Sequence, residues 1–245
     1  MDPASPPTRR APEGRPSVRW GLGDFFWIYF VGVVAGVLLA SVGYGVSGDP
    51  AGDPGALTTF LALAGQFGGW IVGLVVVSRR KGRGSLRSDF GFVVRARDGW
   101  FLVAGIGLEI ALGLMVLPIV DLARNEHQTV VQELENARGL ELAVLALFAG
   151  LIAPFCEELL FRGLLLRSLA RRVPALWAIA ISALVFAAAH PLFDPSLGSL
   201  AVMPALFALG AVSGVIALRT GELSRSILLH VGFNLLTTLA ALFHK

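Results

Sequence analysis

A chain of 245 residues that is 55% hydrophobic and only 15% charged, with a mean hydropathy of +0.73, is too apolar to be an ordinary soluble domain. Its net charge of +3 comes with no nucleic-acid motif and no interleaving of basic and aromatic residues, so nucleic acid is excluded as a partner and the cations are read as membrane topology. The single cysteine, Cys156, excludes an intrachain disulfide and the usual thiolate metal sites, and it reads as a small buried side chain rather than a nucleophile.

Residues 1–20 are rich in proline and arginine without a cleavage-site pattern, which suggests a disordered cytoplasmic tail. Apolar stretches then recur at 24–45, 56–77, 99–120, 140–160, 174–190, 199–218 and 226–243. Each is near the roughly 20 residues needed to cross a hydrocarbon core about 30 Å thick. The expected fold is therefore all-α, a polytopic transmembrane helix bundle of about seven spans. Gly, Pro and Asp fill the turn at 48–55, and a polar segment occupies 121–139. Arg79, Arg80, Lys81, Arg83, Arg87, Arg95 and Arg97 follow the second span, and Arg167, Arg171 and Arg172 follow the fourth. Asp49, Asp53, Arg124 and Arg138 are among the few charges of the opposite loops. That asymmetry, with Arg9, Arg10, Arg15 and Arg19 in the tail, places the N-terminus in the cytoplasm of a multi-pass cell-membrane protein.

Glu157, Glu158 and Arg162 interrupt the fourth apolar stretch. A charge at bilayer depth costs roughly 2.5 to 3.5 kcal/mol on insertion scales, so it needs a partner or a role. On a helix Glu158 and Arg162 share a face, whereas Glu157 is turned about 100° away and stays free, as a general base requires. The alternative is a helix-end charge cluster near the cytoplasmic surface. Counting at 1.5 Å per residue from the turn at 171–174 puts Glu157 and His190 at about the same level, roughly 24 to 26 Å away. His230 reaches a similar level from the turn at Gly221 and Glu222. Phe186 and His190 lie one turn apart, Pro191 should end their helix, and Asp194 could orient the imidazole. His190 alone would read as a packing residue; the shared depth favours a site. His230 and Asn234 also share a face and offer two donors to an oxyanion, or else an interhelical hydrogen bond.

These residues resemble the CPBP family of intramembrane proteases, which includes the type II CAAX prenyl endopeptidases and many bacterial homologues. The EExxxR motif matches Glu157, Glu158 and Arg162, FxxxH matches Phe186 and His190, and HxxxN matches His230 and Asn234. The resemblance implies an intramembrane active site in a catalytic core at 140–243, preceded by N-terminal membrane helices and loops at 21–139. Glu157 and His190 would activate water, His230 and Asn234 would hold the oxyanion, and Glu158, Arg162 and Phe186 would support the site. The substrate would be a membrane-associated protein or peptide. No HExxH is present, so no metal is expected to be obligatory; a zinc ion, if bound, would take Glu157, His190 and His230.

Two other protease signatures are weaker. Gly21-Leu22-Gly23-Asp24, with Pro174-Ala175-Leu176 and Pro204-Ala205-Leu206, follows the presenilin pattern but lacks a second aspartate on an earlier span, and Gly45-Val46-Ser47-Gly48 puts a rhomboid-like serine in a loop. The competing class is a non-catalytic transporter or bacteriocin-immunity scaffold using the same polar residues, a view that Glu109, alone in the third span, suits better.

Overall fold

The computed structural model describes residues 18–50, 53–122, 134, 136–190 and 200–243, and among these the regular structure is entirely helical. The helices are α1 (Leu22–Ser47), α2 (Ala56–Lys81), α3 (Leu86–Phe90), α4 (Trp100–Leu122), α5 (Gly139–Ala170), α6 (Ala175–Ala189), α7 (Met203–Thr220) and α8 (Ser224–Phe243). Among the described residues five segments are long and apolar enough to cross a membrane: Leu22–Ser47, Ala56–Lys81, Ala96–Met115, Gly139–Ala170 and Met203–Thr220. Of the remaining expected spans, α6 is a shorter apolar helix, about 22 Å long at 1.5 Å per residue. The other is α8, 20 residues long and largely apolar apart from a face bearing His230, Asn234, Thr237 and Thr238. The chain is a polytopic helical bundle. Its outward faces carry Trp27, Phe30, Leu38, Val72, Val103 and Leu114, all exposed; a bilayer, not water, is the solvent that suits such a surface.

Several boundaries differ from those expected. Helix α2 continues through Arg79, Arg80 and Lys81, where cations favour the negative end of the helix dipole. Helix α5 runs to Ala170, ten residues beyond the expected 160, because Arg162 is buried against a partner within it and so does not end the helix. The short α3 has no apolar run to announce it. Of the expected tail, residues 1–17 lie outside the described residues, but Val18, Arg19 and Trp20 are packed rather than disordered. Arg19 N–H donates to the Lys81 carbonyl at 2.7 Å, and Trp20 is buried with Nε1 on Asp89 at 3.0 Å.

These residues belong to one stitched end of the bundle. Arg171 donates to the Trp20 carbonyl at 2.6 Å, Arg167 to the Gly221 carbonyl at 2.8 Å, and Leu223 N–H to the Gly91 carbonyl at 2.9 Å. Arg95 pairs with Glu222. The turns after α2, α5 and α7 are thereby joined, which fixes the relative heights of the helices. Further along, α4 and α8 touch backbone to backbone: a Cβ on Gly105 would strike the Leu229 carbonyl oxygen, and one on Gly232 that of Leu102. Small residues permit this approach between membrane helices.

Candidate active site

Helix α5 is not a regular α-helix at the site. It widens into π-helical turns at Phe148–Ile152 and Glu158–Leu166, a deviation that often accompanies function. The cause of the first is local. Ala153 N–H donates to Phe148, five residues back, and the next residue, Pro154, has no N–H to give. The Ala149 carbonyl is instead met from across the bundle by Asn234 Nδ2 at 2.8 Å.

The second widened turn starts at the paired acids. Glu158 and Arg162 are both buried and form an ion pair of 3.1 Å. The Glu157 side chain retains 15% exposure while that of Glu158 has none, so one carboxylate is sequestered and the other faces a cavity. Arg162 Cζ sits 4.2 Å over the ring of Phe186, a cation–π contact that adds a neighbour to the buried guanidinium.

Phe186 organises the rest. Its ring meets those of His190 and His230 edge to face, with centroids 4.9 and 5.6 Å apart. His190 is the residue at which α6 ends, and its Nδ1 lies 2.9 Å from the Phe186 carbonyl oxygen. A carbonyl can only accept, so Nδ1 carries the proton and Nε2 is an acceptor in the neutral ring. Pro191 and Asp194 lie outside the described residues.

His230 is more heavily engaged than an oxyanion donor standing beside Asn234 would be. Its Nδ1 is 3.1 Å from Glu158 Oε1 and its Nε2 is 3.7 Å from Glu157 Oε2, so the ring lies between the two acids. Glu157, His190, His230 and Asn234, carried by α5, α6 and α8, all line one cavity of about 320 Å³. Depth and spacing in the sequence set these four at one level, and all four line this cavity; the partners of His230 and Asn234 come from the packing. Cys156 is buried and does not line this cavity. Asp24 pairs with Lys81 at 2.6 Å and Ser47 hydrogen-bonds Gly43 and Thr58, so neither the aspartate nor the serine of the two weaker signatures lines it, although Leu206 does.

Sequence reading placed Glu109 outside the protease site. The structure puts it on the cavity wall, with Oε1 accepting from the Thr237 hydroxyl at 2.5 Å and from its N–H at 3.2 Å. Its signal was the same one that marked Glu157, an acid inside an apolar span.

A zinc ion, which the sequence leaves open, would take Glu157, His190 and His230. His190 Nδ1 faces a carbonyl and His230 Nδ1 faces Glu158, so in each ring Nε2 is the nitrogen turned elsewhere, that of His230 lying 3.7 Å from Glu157 Oε2. Among the described residues no three His, Cys, Asp or Glu side chains are grouped to hold an ion.

Residues 139–236 match the model of the Rce1-like family, described as Type II CAAX prenyl endopeptidase Rce1-like. No curated protein and no solved structure matches the chain. All seven motif residues from Glu157 to Asn234 fall inside the matched segment. With its apolar helices, the chain is a multi-pass membrane protein in which residues 139–236, less than half of its length, are similar to the type II CAAX prenyl endopeptidases.

Proposed function

We propose that this protein hydrolyses a peptide bond of a membrane-associated protein or peptide in the cavity shared by α5, α6 and α8, without an obligatory metal. The observation that carries this reading is the convergence of Glu157, His190, His230 and Asn234 on one cavity. Glu157 takes a proton from water as the hydroxyl oxygen adds to the scissile carbonyl carbon. His190 Nε2, left as an acceptor by the Nδ1 bond to Phe186, holds the second water hydrogen. Asn234 gives one amide hydrogen to Ala149 and keeps the other for the oxyanion. Glu158 orients His230, whose Nε2 is next to Glu157 and can receive its proton; the imidazolium then faces the oxyanion and returns the proton to the leaving amine as the C–N bond breaks. The products are a carboxylate and an amine.

The stitched, arginine-rich end of the bundle supports a cytoplasmic N-terminus and a cytoplasmic approach to the cavity. The function is tested by reconstituting the purified protein in vesicles with membrane-tethered peptides and following them by mass spectrometry. Two complementary fragments are expected. Peptide bound or transported intact, with no fragment under any condition, would instead assign the cavity to the non-catalytic class.

A further inference from the structure

Glu109 belongs to none of the three motifs and comes from a helix outside the matched segment, yet it shares the cavity with Glu157. Its position is tightly determined. Gly105, one turn earlier on α4, allows backbone contact with α8 around Leu229 and Gly232, so Glu109 is pressed against the same helix one turn further along. There Thr237 holds its Oε1 through two hydrogen bonds. Among the described residues its buried Oε2 has no hydrogen-bond partner. A carboxylate oxygen left so in an apolar setting is costly until a donor reaches it.

Thr237 lies seven residues beyond His230, about 10 Å along α8. An extended peptide covers that distance in about three residues. The cavity lining is largely apolar, with Leu63, Phe67, Leu134 and Phe148 among it, and polar at Asn234, Thr237 and Thr238 on α8. A substrate held with its scissile bond at Glu157 therefore presents a residue about three positions away to the second acid of a largely apolar cavity.

We propose that Glu109 is a specificity-determining residue that binds the cationic side chain, lysine ammonium or arginine guanidinium, of a substrate residue about three positions to one side of the bond cleaved. The inference rests on the proteolytic reading of the cavity. A buried acid of this kind discriminates strongly, because a neutral side chain leaves its oxygen unpaired whereas a cation satisfies it.

The test uses the full-length protein in vesicles and two sets of membrane-tethered peptides carrying lysine or norleucine at each of the four positions on either side of the cleaved bond. The quantity read is the ratio of kcat/KM for lysine over norleucine at each position. The wild type should show a ratio of about ten to a hundred at one position near the third residue. Glu109→Gln should bring that ratio near one, and Glu109→Asp should restore part of it. Because each ratio is internal to one enzyme, poor expression of a variant does not distort it, and the wild-type scan needs no variant at all. Cleavage by the wild type with a flat profile, or a preference that survives Glu109→Gln, would overturn the specificity role and leave Glu109 as an interhelical tie to Thr237. Absence of cleavage of every peptide would remove the proteolytic reading and this inference with it.

Discussion

Asp89 and Glu158 are both buried carboxylates, one at the stitched end of the bundle and one within it, and they are satisfied in different ways. Asp89 accepts from Trp20 Nε1 at 3.0 Å, Ser78 Oγ at 2.6 Å and Arg83 N–H at 2.9 Å, all neutral donors placed around it by the chain before α1, by α2 and by the turn after α2. Glu158 faces a cation and an imidazole at 3.1 Å each. Its partner Arg162 keeps Nε and Nη2 without hydrogen bonds among the described residues. A carboxylate surrounded by neutral donors closes its own account of hydrogen bonds and holds loops together. A carboxylate in a charged cluster beside a cavity leaves donors and protons to be used, which is the arrangement expected of a site.

This contrast can be sharpened by substitutions that should move activity or stability but not both. Outside the paired acids, the largest effect is expected at Asn234. If its second amide hydrogen serves the oxyanion, Asn234→Ala should lower kcat about 100- to 1,000-fold, equivalent to about 2.7 to 4 kcal/mol, with KM little changed. An unchanged kcat on a defined peptide would reduce Asn234 to its bond with Ala149.

Asp89→Ala should do the reverse. Losing the acceptor strands the buried Trp20 and Ser78 donors, at about 1 to 3 kcal/mol for each unsatisfied group. A lower melting temperature in detergent is expected, with turnover per folded molecule retained. A variant that melts like the wild type but fails to cleave would mean that the stitched end takes part in the reaction.

The smallest effect concerns Asp49, in the turn between α1 and α2. The Thr58 hydroxyl above all, then Ser47 and the Gly55 N–H, hold its carboxyl below the ordinary carboxylate range. Its folded-state value is depressed, so its stabilising contribution is present above the unfolded value of about 3.9 and is lost as pH falls through the lower folded value. The melting-temperature difference between wild type and Asp49→Asn should therefore be present at neutral pH and close in acid. A difference that stays constant with pH would contradict the hydrogen-bond account of this turn.

What the residues announced in advance was whatever depends on one helix at a time. Glu158 and Arg162 were paired by spacing alone, and Glu157, His190 and His230 were brought to one level by counting from turns. Contacts between helices were another matter. The bond from Asn234 to Ala149 depends on Pro154 failing to supply an N–H, a local signal present in the chain whose partner is 85 residues away. His230 lying between two acids, and Asp89 gathering donors from three segments, follow from packing that no periodicity encodes. Among the described residues five of the expected seven spans have full apolar length; α6 is shorter, and α8 turns a polar face to the cavity.

The central claim, that Glu157 does chemistry while Glu158 holds the cluster together, is tested most directly by measuring peptide cleavage and thermal melting on the same preparations of Glu157→Gln and Glu158→Gln. Glu157→Gln should lose about 10²- to 10⁴-fold in turnover while melting as the wild type does. Glu158→Gln should melt earlier, by an amount that reflects the roughly 3 to 5 kcal/mol cost of leaving a buried guanidinium uncompensated. Wild-type cleavage by Glu157→Gln, or equal losses of activity in the two variants with unchanged melting in both, would contradict it.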